Sequence, residues 1–483
     1  MKNKELDVLL INPGNLLYQF GNVSDYATIA QPIGIAMIAS YIRENSNYSV
    51  GIIDAEVEML DPDEVINRIN THNPLVVGLT AFTTKMDVSI EIIKKIKEVR
   101  SDIKVIIGGH HPSAIPLETY KETNVDYAVI GEGYLPIIDI LDFETGKISN
   151  KNDIRGVLYY DNENEKIVRN NRSSLISLND DLPIPAWDLL PMKKYKAHHW
   201  QCWHIGQENS YAVVFSSLGC PFKCSFCSVG VVYGDKKVRY ITPERFVENI
   251  EYLVNEYGIK HFEIIDDTFT LSKKRVRKIC DLIIEKNLDI NAWCFVRTDR
   301  LDELTLTKMR DAGIRWVFFG LESGDNDILE GVSKGQDRKQ IYDAVKLVKK
   351  VGLNLGCSIA FGIEGDTYET MNKTLDTVID LVPDWVNFFV SMAYPGTDLF
   401  NENIDTGKLP SRWNQYGFFS PDSKPLSNKN LTSREILEFR DQAFNKFYNN
   451  ERYKSHILNK FGEEVWEGIV KMSSRKLERN YDE

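Results

Sequence analysis

The stretch "SSLGCPFKCSFCSVG" (residues 216–230) places three cysteines in a C-x-x-x-C-x-x-C pattern, at Cys220, Cys224 and Cys227. Three thiols this close could bind a metal, form disulfides or pack in a core. A structural zinc site needs four ligands, so Cys202 or His204 would have to complete one. Three thiolates on a cubane iron–sulfur cluster would instead leave one iron open to a substrate or cosubstrate. The spacing alone therefore leaves both metal hypotheses open.

The cysteine content and net charge of the chain indicate its redox compartment and the class of its substrate. The chain has 483 residues, a net charge of -12 and seven cysteines. An odd number of cysteines spread over a large chain argues against a disulfide framework and fits a reducing compartment. The acidic balance supplies no general attraction for nucleic acid or anionic lipid, so we expect a small-molecule or peptide substrate.

No targeting or membrane segment is evident in the sequence. The apolar run before Asn12 is too short for a signal peptide. No stretch approaches the roughly 20 apolar residues that a membrane span requires. We therefore expect a cytoplasmic protein without a membrane span.

The first 142 residues alternate short apolar runs with amphipathic stretches. Apolar runs bounded by helices are typical of parallel strands that are buried on both faces. Such runs lie at 6–11, 48–54, 75–79, 104–109 and 126–131. This pattern predicts an N-terminal domain, residues 1–142, with a doubly wound, Rossmann-like parallel sheet.

Small and polar residues follow several of these strands. In doubly wound sheets ligands bind beyond the carboxyl ends of the strands. The candidate positions there are Thr80, Thr83, Thr84, Gly108, Gly109, His110, His111, Gly131, Glu132 and Gly133. Glycines at a strand end let a flat or bulky ligand approach the backbone, although tight turns use them too. The GxGxxG dinucleotide motif is absent, which argues against a nicotinamide cofactor.

The rest of the chain divides into a connector (143–205), a second α/β region (206–403) and a mostly helical, charged region (404–483). Strands are predicted in the second region at 211–217, 261–266, 291–297, 315–321, 355–362 and 384–390. Six βα units in sequence predict a complete or partial TIM-type barrel with its active site at the carboxyl ends of the strands. The three clustered cysteines follow the first of these strands.

These features resemble a known family, the radical S-adenosylmethionine enzymes. The cysteine pattern, with Phe226 before the third cysteine, stands on the first βα loop of a six-unit partial barrel, as it does in that family. The segments at 264–270, 296–301, 319–324 and 393–400 are similar to strand-end segments of the cobalamin-dependent branch. The N-terminal sheet is similar to that branch's cobalamin-binding domain at 31–44, 108–114 and 131–133. The resemblance covers residues 1–400.

The resemblance implies a 4Fe-4S cluster on Cys220, Cys224 and Cys227, with S-adenosylmethionine chelating the open iron. Reductive cleavage of that cosubstrate would give a 5'-deoxyadenosyl radical, with electrons from a donor such as flavodoxin or ferredoxin. The implied cosubstrate contacts are Phe226, Glu322, Ser323 and Gly324. Arg297 is expected to pair with a ligand carboxylate, or with a neighbouring acid in a structural ion pair. Asp266 and Asp267 are expected to orient ribose, water or substrate, and only one should face the cavity because they are adjacent in a strand.

The resemblance also implies cobalamin bound at the N-terminal strand ends. Thr80, Thr83 and Thr84 would contact its nucleotide tail, Gly108 and Gly109 would give it room, and Gly131, Glu132 and Gly133 would form a rim. His110 and His111 would contact a phosphate, cap a helix or approach the lower face of the corrin. Many cobalamin modules present Asp-x-His-x-x-Gly, but here Glu56 stands at the histidine position. Cobalt is therefore expected to lack a histidine ligand from this motif.

The resemblance favours one reaction and leaves two alternatives. The favoured reaction is methyl transfer to an unactivated carbon or a phosphorus centre. The same cofactors could serve a non-methylating rearrangement, cyclisation or ring contraction, and a cobalamin- or redox-responsive binding protein is a third hypothesis. Substrate specificity is expected in the connector around residues 198–211, in the tail and in the cavity walls. A further departure, at "FGIEGDTYET" (361–370), puts Glu364 where the family often has proline.

Overall fold

The computed structural model describes residues 5–203, 210–234 and 237–480. Within them the strands form two large sheets and a small ribbon. The strands of the first sheet are β1 (Leu6–Asn12), β2 (Val50–Asp54), β3 (Pro74–Thr80), β4 (Lys104–Gly108), β5 (Tyr127–Val129), β6 (Val157–Asp161) and β7 (Lys166–Arg169). They lie side by side in the order β2-β1-β3-β4-β5-β6-β7. The helices of this half of the chain are α1 (Leu16–Phe20), α2 (Ile33–Asn45), α3 (Pro62–His72), α4 (Met86–Val99), α5 (His110–Ala114), α6 (Pro116–Thr123) and α7 (Tyr134–Glu144).

The first five strands are parallel and carry helices on both faces, as predicted for a doubly wound sheet. Ile69 of α3 and Ile92 of α4 belong to a buried cluster on one face. Ala39 of α2 and Ile140 of α7 belong to the cluster on the other face. The strands are apolar throughout because both of their faces are covered.

The first sheet extends past residue 142, the predicted domain boundary. Strands β6 and β7 continue it in antiparallel pairing. Both are short, and β7 has no fully buried residue. Strands of this kind lack the continuous apolar run that identifies a buried parallel strand, which is why the sequence reading placed them in the connector.

The second sheet is a six-stranded, entirely parallel partial barrel, as predicted. Its strands are β8 (Tyr211–Val214), β11 (His261–Ile264), β12 (Asn291–Phe295), β13 (Ile314–Glu322), β14 (Asn354–Phe361) and β15 (Trp385–Val390), and the ribbon is β9 (Ser217–Leu218) with β10 (Arg239–Tyr240). The strands of the second sheet lie side by side in the order β15-β14-β13-β12-β11-β8. Its helices are α8 (Gly230–Tyr233), α9 (Pro243–Tyr257), α10 (Lys273–Glu285), α11 (Glu303–Asp311), α12 (Asn326–Gly331), α13 (Arg338–Val351) and α14 (Tyr368–Leu381). The C-terminal region is helical, with α15 (Asp398–Asn401), α16 (Ser433–Tyr448), α17 (Glu451–Phe461) and α18 (Glu463–Ser473).

Local sequence signals account for the bounds of the barrel helices. Helix α9 begins where the Thr242 side chain accepts a hydrogen bond from the Arg245 amide, with Pro243 at the first helical position. It ends at Gly258, whose φ of 64° is left-handed. These residue types are typical of helix starts and ends, and the sequence alone predicts this start at Thr242.

Side chains satisfy the backbone of the two edge strands of the open barrel. Gln31 donates to the carbonyl of Tyr211 on β8 and accepts from the Val213 amide. At the other edge, Arg440 Nε donates to the carbonyl of Phe388 on β15 at 3.0 Å. Edge strands otherwise expose free N–H and C=O groups, so these contacts satisfy part of the backbone at each open edge of the barrel.

An aromatic cluster fills the amino-terminal end of the barrel, which we call the floor. Trp200 lies 4.8 Å from Trp316 and 5.7 Å from Trp385, measured between ring centroids. Its partners stand near the starts of β13 and β15, opposite the end that carries the strand-end loops. Specificity is expected around residues 198–211, and Trp200 and Trp203 of that segment pack in the barrel core. Residues 204–209 lie outside the described residues.

Replacement of Trp200 by alanine is expected to destabilise the barrel by about 3–5 kcal/mol, the usual cost of emptying a buried tryptophan site. The side chain is 6% exposed and contacts several aromatic rings, so the floor cannot collapse around the gap without repacking. Urea unfolding monitored by far-UV circular dichroism measures the loss. Trp466→Ala is the matched control, because that ring is only partly buried, and an equal loss in both variants would contradict the assignment of the floor.

Candidate active site

The cysteine-bearing loop (residues 219–229) lies between β9 and α8, at the carboxyl end of the barrel. Cys220, Cys224 and Cys227 are free thiols that line one cavity of about 280 Å³. Gly219 begins the loop with a φ of 94°, and a Cβ there would lie 2.5 Å from the carbonyl oxygen of Lys237. Only glycine allows this approach, so the entry to the cysteine loop is fixed by its backbone.

The arrangement of the thiols distinguishes the two metal hypotheses. Within the described ranges, no three His, Cys, Asp or Glu side chains stand close enough together to hold a single metal ion. The three thiols instead surround a space, which fits a cluster better than zinc. Cys202 is buried in the barrel floor at the opposite end of the strands, so it does not complete a zinc site, and His204 lies outside the described residues.

Two cations lie near the thiols. Burial raises the pKa of the Cys224 thiol, while the charges of Lys334 and Arg297 oppose that rise. Positive charge near a cysteine favours the thiolate, which is the form that binds metal. The cations therefore favour cluster binding.

Arg297, expected to pair with a ligand carboxylate or with a neighbouring acid, makes the second kind of contact. Its guanidinium lies 3.6 Å from the ring centroid of Phe222, which belongs to the cysteine loop. It also donates to Asp299 at 2.9 Å and to the carbonyl of Lys334 at 2.7 Å. Arg297 therefore packs against the cysteine loop through its contact with the Phe222 ring.

The two aspartates after β11 occupy different environments, as their adjacency predicts. Asp266 is fully buried and accepts hydrogen bonds from the hydroxyls of Ser216 and Ser217. Burial raises the pKa of Asp266, and these hydrogen bonds oppose the rise. Asp267 is exposed and accepts from the Gly219 amide at 3.2 Å. Asp266 thus fixes the β8–β9 turn, and Asp267 fixes the start of the cysteine loop.

A larger cavity of about 670 Å³ lies beside the cysteine loop, and we call it the reaction cavity. Phe226 and Glu322, two of the residues predicted to contact the cosubstrate, line it. Asp398 lines both this cavity and the one that holds the thiols. A molecule in the reaction cavity would therefore be adjacent to the cysteine loop.

Glu322 differs from its two neighbours in sequence. Its φ of 60° is left-handed, and its carboxylate accepts from Lys334 Nζ at 2.5 Å. Ser323 is buried, and its hydroxyl lies 3.1 Å from that of Thr374. A Cβ at Gly324 would lie 2.6 Å from the carbonyl of Lys373. Of the three expected contacts after β13, only Glu322 faces the cavity, while Ser323 and Gly324 allow close packing against α14.

Lys334 is a residue of this site that sequence reasoning missed. It lies in the loop between α12 and α13, and its amine also donates to the carbonyl of Gly320 at 2.6 Å. No periodicity or motif marks a lone lysine in a loop, so only the tertiary structure reveals that it holds Glu322.

The strand ends of the first sheet form a third cavity, of about 260 Å³, which we call the glycine cavity. Six of the expected residues line it, namely Thr80, Gly108, Gly109, Gly131, Glu132 and Gly133. Phe215, Leu218 and Tyr233 line it from the barrel side. A Cβ at Gly108 would contact only Val129, at 3.6 Å, so the glycine leaves open space that a side chain would fill.

The other four candidate positions, Thr83, Thr84, His110 and His111, do not line the glycine cavity. The Thr83 hydroxyl lies 3.1 Å from His111 Nδ1, and both residues are buried. The Thr84 hydroxyl accepts from Gln19 at 2.8 Å. Burial lowers the pKa of His111 to about 3, so its ring is neutral. In the described part of the chain its buried Nε2 has no hydrogen-bond partner, and the ring packs edge-on against Trp413 with centroids 4.5 Å apart.

The position of the usual cobalamin histidine is occupied by an ion pair. Asp54 is buried and accepts from Asn12 at 2.7 Å and from the Tyr195 hydroxyl at 2.5 Å. Two residues later, Glu56 pairs with Lys85. The first residue of the motif is thus kept as a structural carboxylate, while its ligand position carries no imidazole.

Three polar contacts join the strand ends of the first sheet to the segment around the cysteine loop. His110 Nε2 lies 3.0 Å from the carbonyl of Ser228, the residue after Cys227. Glu132 forms an ion pair with Arg239 of β10. Arg172 donates to the carbonyl of Val231 in α8 at 2.8 Å. The glycine cavity and the cysteine loop are therefore held against each other.

Comparisons with known proteins agree with this geometry. A family model described as a B12 binding domain matches residues 21–140, and one described as the radical SAM superfamily matches residues 214–378. An uncharacterized methyltransferase of Pyrococcus horikoshii is 34% identical over 457 residues, which cover 94% of this chain and 95% of the relative. An anaerobic magnesium-protoporphyrin IX monomethyl ester cyclase of Rubrivivax gelatinosus is 27% identical over 458 residues, with coverage of 94% and 79%.

A solved structure shows the same fold. The cobalamin-dependent S-adenosylmethionine radical enzyme OxsB, with aqua-cobalamin and S-adenosylmethionine bound, matches with a TM-score of 0.70 at 16% identity and covers 96% of this chain and 74% of its own. Among the described residues, no helix is long and apolar enough to cross a membrane. The two matched domains imply a 4Fe-4S cluster, S-adenosylmethionine and cobalamin. The chain belongs to the family of cobalamin-dependent radical S-adenosylmethionine enzymes.

Proposed function

We propose that this enzyme transfers a methyl group to an unactivated carbon or a phosphorus centre of a small molecule. The observation that carries the proposal is that the strand ends around the glycine cavity are joined to the cysteine loop by His110, and to the elements that flank this loop by Glu132 and Arg172. When bound, the cluster and S-adenosylmethionine supply radical chemistry, and cobalamin supplies methyl-group transfer. The methyltransferase name of the Pyrococcus horikoshii relative supports this choice.

The residues of the chain take the following roles in the proposal. Cys220, Cys224 and Cys227 hold the cluster, while Arg297 and Asp267 fix the loop that carries them. Glu322, held by Lys334, accepts a hydrogen bond from the ammonium group of the cosubstrate, where opposite charge strengthens the bond. Phe226 packs against the adenine. Ser323 and Gly324 position Glu322 through their packing against α14.

The glycine cavity takes the nucleotide tail of cobalamin in this proposal. Thr80 offers the tail a hydroxyl, and Gly108, Gly109, Gly131 and Gly133 leave it room. Glu132 acts mainly by joining the rim to Arg239. Thr83 holds the neutral ring of His111. Both lie outside the glycine cavity, so in this proposal they support the strand ends that carry it. No histidine of the Asp54 loop ligates cobalt, and the electron donor remains our prediction of a flavodoxin or ferredoxin.

Methyl-labelled S-adenosylmethionine tests the proposed reaction. The anaerobically reconstituted enzyme is incubated with candidate substrates, a reductant and the labelled cosubstrate, with and without cobalamin. We expect label in the product only when cobalamin is present, together with 5'-deoxyadenosine. Formation of 5'-deoxyadenosine with a converted but unlabelled product would overturn methyl transfer.

A second candidate function is a radical cyclisation with the same cofactors. The cyclase relative from Rubrivivax gelatinosus, which this chain matches over 94% of its own length, favours it. In the same experiment cyclisation predicts a product that lacks two hydrogens and carries no label, so mass spectrometry of one reaction mixture separates the two candidates.

A further inference from the structure

A fourth cavity lies outside the reaction site, against the open edge of the barrel. Its volume is about 590 Å³, and it shares no lining residue with the reaction cavity or the glycine cavity. Residues 385–388 of edge strand β15 form one wall, helix α16 and the C-terminal segment form another, and residues 20–28 close it. We call it the edge cavity. It is large enough for an organic molecule of moderate size.

Two buried arginines beside this cavity share a single carboxylate. The side chains of Arg440 and Arg479 are 6% and 4% exposed, and both donate to Asp441. Both arginines and Asp441 line the cavity. Among the described residues, two guanidinium groups against one carboxylate leave an excess positive charge out of solvent. A buried charge without a counter-ion is costly, so this arrangement favours an anionic ligand.

Arg440 also has hydrogen-bonding capacity left over. Its Nε donates to the Phe388 carbonyl at 3.0 Å, and its Nη1 donates to Asp441 at 2.7 Å. Its Nη2 has no acceptor in the part of the chain that the structure describes. The residue as a whole is 5% exposed and lines the edge cavity, so this donor lies beside the cavity and not in bulk solvent. Such donors are normally satisfied, and a bound oxyanion would satisfy this one.

The remaining walls of the edge cavity are largely aromatic. Phe20 stacks on Phe419, with ring centroids 5.7 Å apart, and both line the cavity with Trp385 and Phe444. The Arg440 guanidinium lies 5.1 Å from the centroid of Phe419 and 5.3 Å from that of Phe444. Rings of this kind offer a flat, apolar surface to a ligand body. The ligand would therefore combine an anionic group with an aromatic or apolar body.

We propose that the edge cavity is a binding site for an amphipathic oxyanion, whose charged group contacts Arg440 and whose apolar body lies among Phe20, Trp385 and Phe419. The site goes beyond the proposed methyl transfer and does not depend on it. Its test is binding, measured without turnover.

Two matched fluorescent probes test the site on the cofactor-loaded enzyme. The anionic probe is 8-anilinonaphthalene-1-sulfonate, and the neutral probe is N-phenyl-1-naphthylamine, which has the same ring system without the sulfonate. We expect the anionic probe to bind at one saturable site at least about tenfold more tightly than the neutral one, the difference made by one charge-assisted hydrogen bond. Energy transfer from Trp385 should accompany binding, and Trp385→Phe should reduce it.

Substitutions at two positions, Arg440 and Thr28, separate this site from other apolar surfaces. Arg440→Met should weaken the anionic probe about tenfold and leave the neutral probe unchanged, and Arg440→Lys should restore part of the affinity. Because Arg440 also supports β15, Thr28→Trp provides a second variant that fills the cavity without changing either arginine. It should abolish binding of both probes. Equal affinities of the two probes, or unchanged binding in Thr28→Trp, would overturn the proposal.

Discussion

Replacement of Cys224 by alanine is expected to remove the iron–sulfur cluster and to abolish formation of 5'-deoxyadenosine from S-adenosylmethionine. The three thiols line one cavity and have no fourth cysteine beside them within the described residues, so no spare ligand can replace the lost one. Activity should fall below detection, because the lost cluster is the only source of the electron that cleaves the cosubstrate. Iron and sulfide analysis, with the absorbance near 400 nm that is typical of such clusters, measures the loss.

Cys280→Ala is the matched control for this variant. Cys280 is fully buried in α10 and packs with the barrel core, away from the cysteine loop. The Cys280→Ala variant should keep its iron content and its ability to cleave S-adenosylmethionine, with a modest loss of folding stability. Retention of a full cluster in Cys224→Ala, or its loss in Cys280→Ala, would contradict the assignment of the ligands.

Replacement of Gly108 by phenylalanine is expected to block cobalamin binding while the cluster remains. Gly108 lines the glycine cavity, and a Cβ there meets only Val129 at an ordinary contact distance, so the new ring has only the cavity to occupy. Overfilling a formed site costs about 1–3 kcal/mol, equivalent to roughly 5- to 150-fold weaker binding. Titration of the cluster-loaded chain with hydroxocobalamin, followed by protein fluorescence, measures the affinity.

Gly108→Ala separates the size of the side chain from the loss of the glycine. A methyl group fits at 3.6 Å from Val129, so affinity should change less than about threefold. If the phenylalanine variant bound cobalamin as tightly as the unchanged chain, the corrin would have to lie elsewhere.

The sequence predicts the fold well where residue patterns are local and strong. All eleven parallel strands of the two main sheets lie within or beside the predicted apolar runs, because strands covered on both faces have continuous apolar sequence. The strands that it misses, β6, β7, β9 and β10, are short and partly exposed. Their pairing depends on neighbours far away in the chain, which local periodicity does not record.

The sequence predicts residues of the candidate active site only where the residue type by itself indicates the chemical role. The cysteine pattern and the strand-end glycines lead to residues that line cavities, because few other residue types could serve there. Arg297 and Asp266 have suitable chemistry, but their hydrogen bonds are made within the chain, to Asp299 and to Ser216. The sequence does not predict the contact of Lys334 with Glu322 or that of His110 with Ser228. Each contact joins two segments that only the tertiary structure brings together.

We propose that cluster and corrin bind to one chain and face each other across the contact between the glycine cavity and the cysteine loop. Electron paramagnetic resonance of the anaerobically reconstituted, reduced enzyme with cob(II)alamin tests it most directly. We predict equimolar cluster and corrin signals, with magnetic coupling between them that disappears when either partner is omitted. Two full signals without coupling, or a chain that binds only one of the two, would contradict the account.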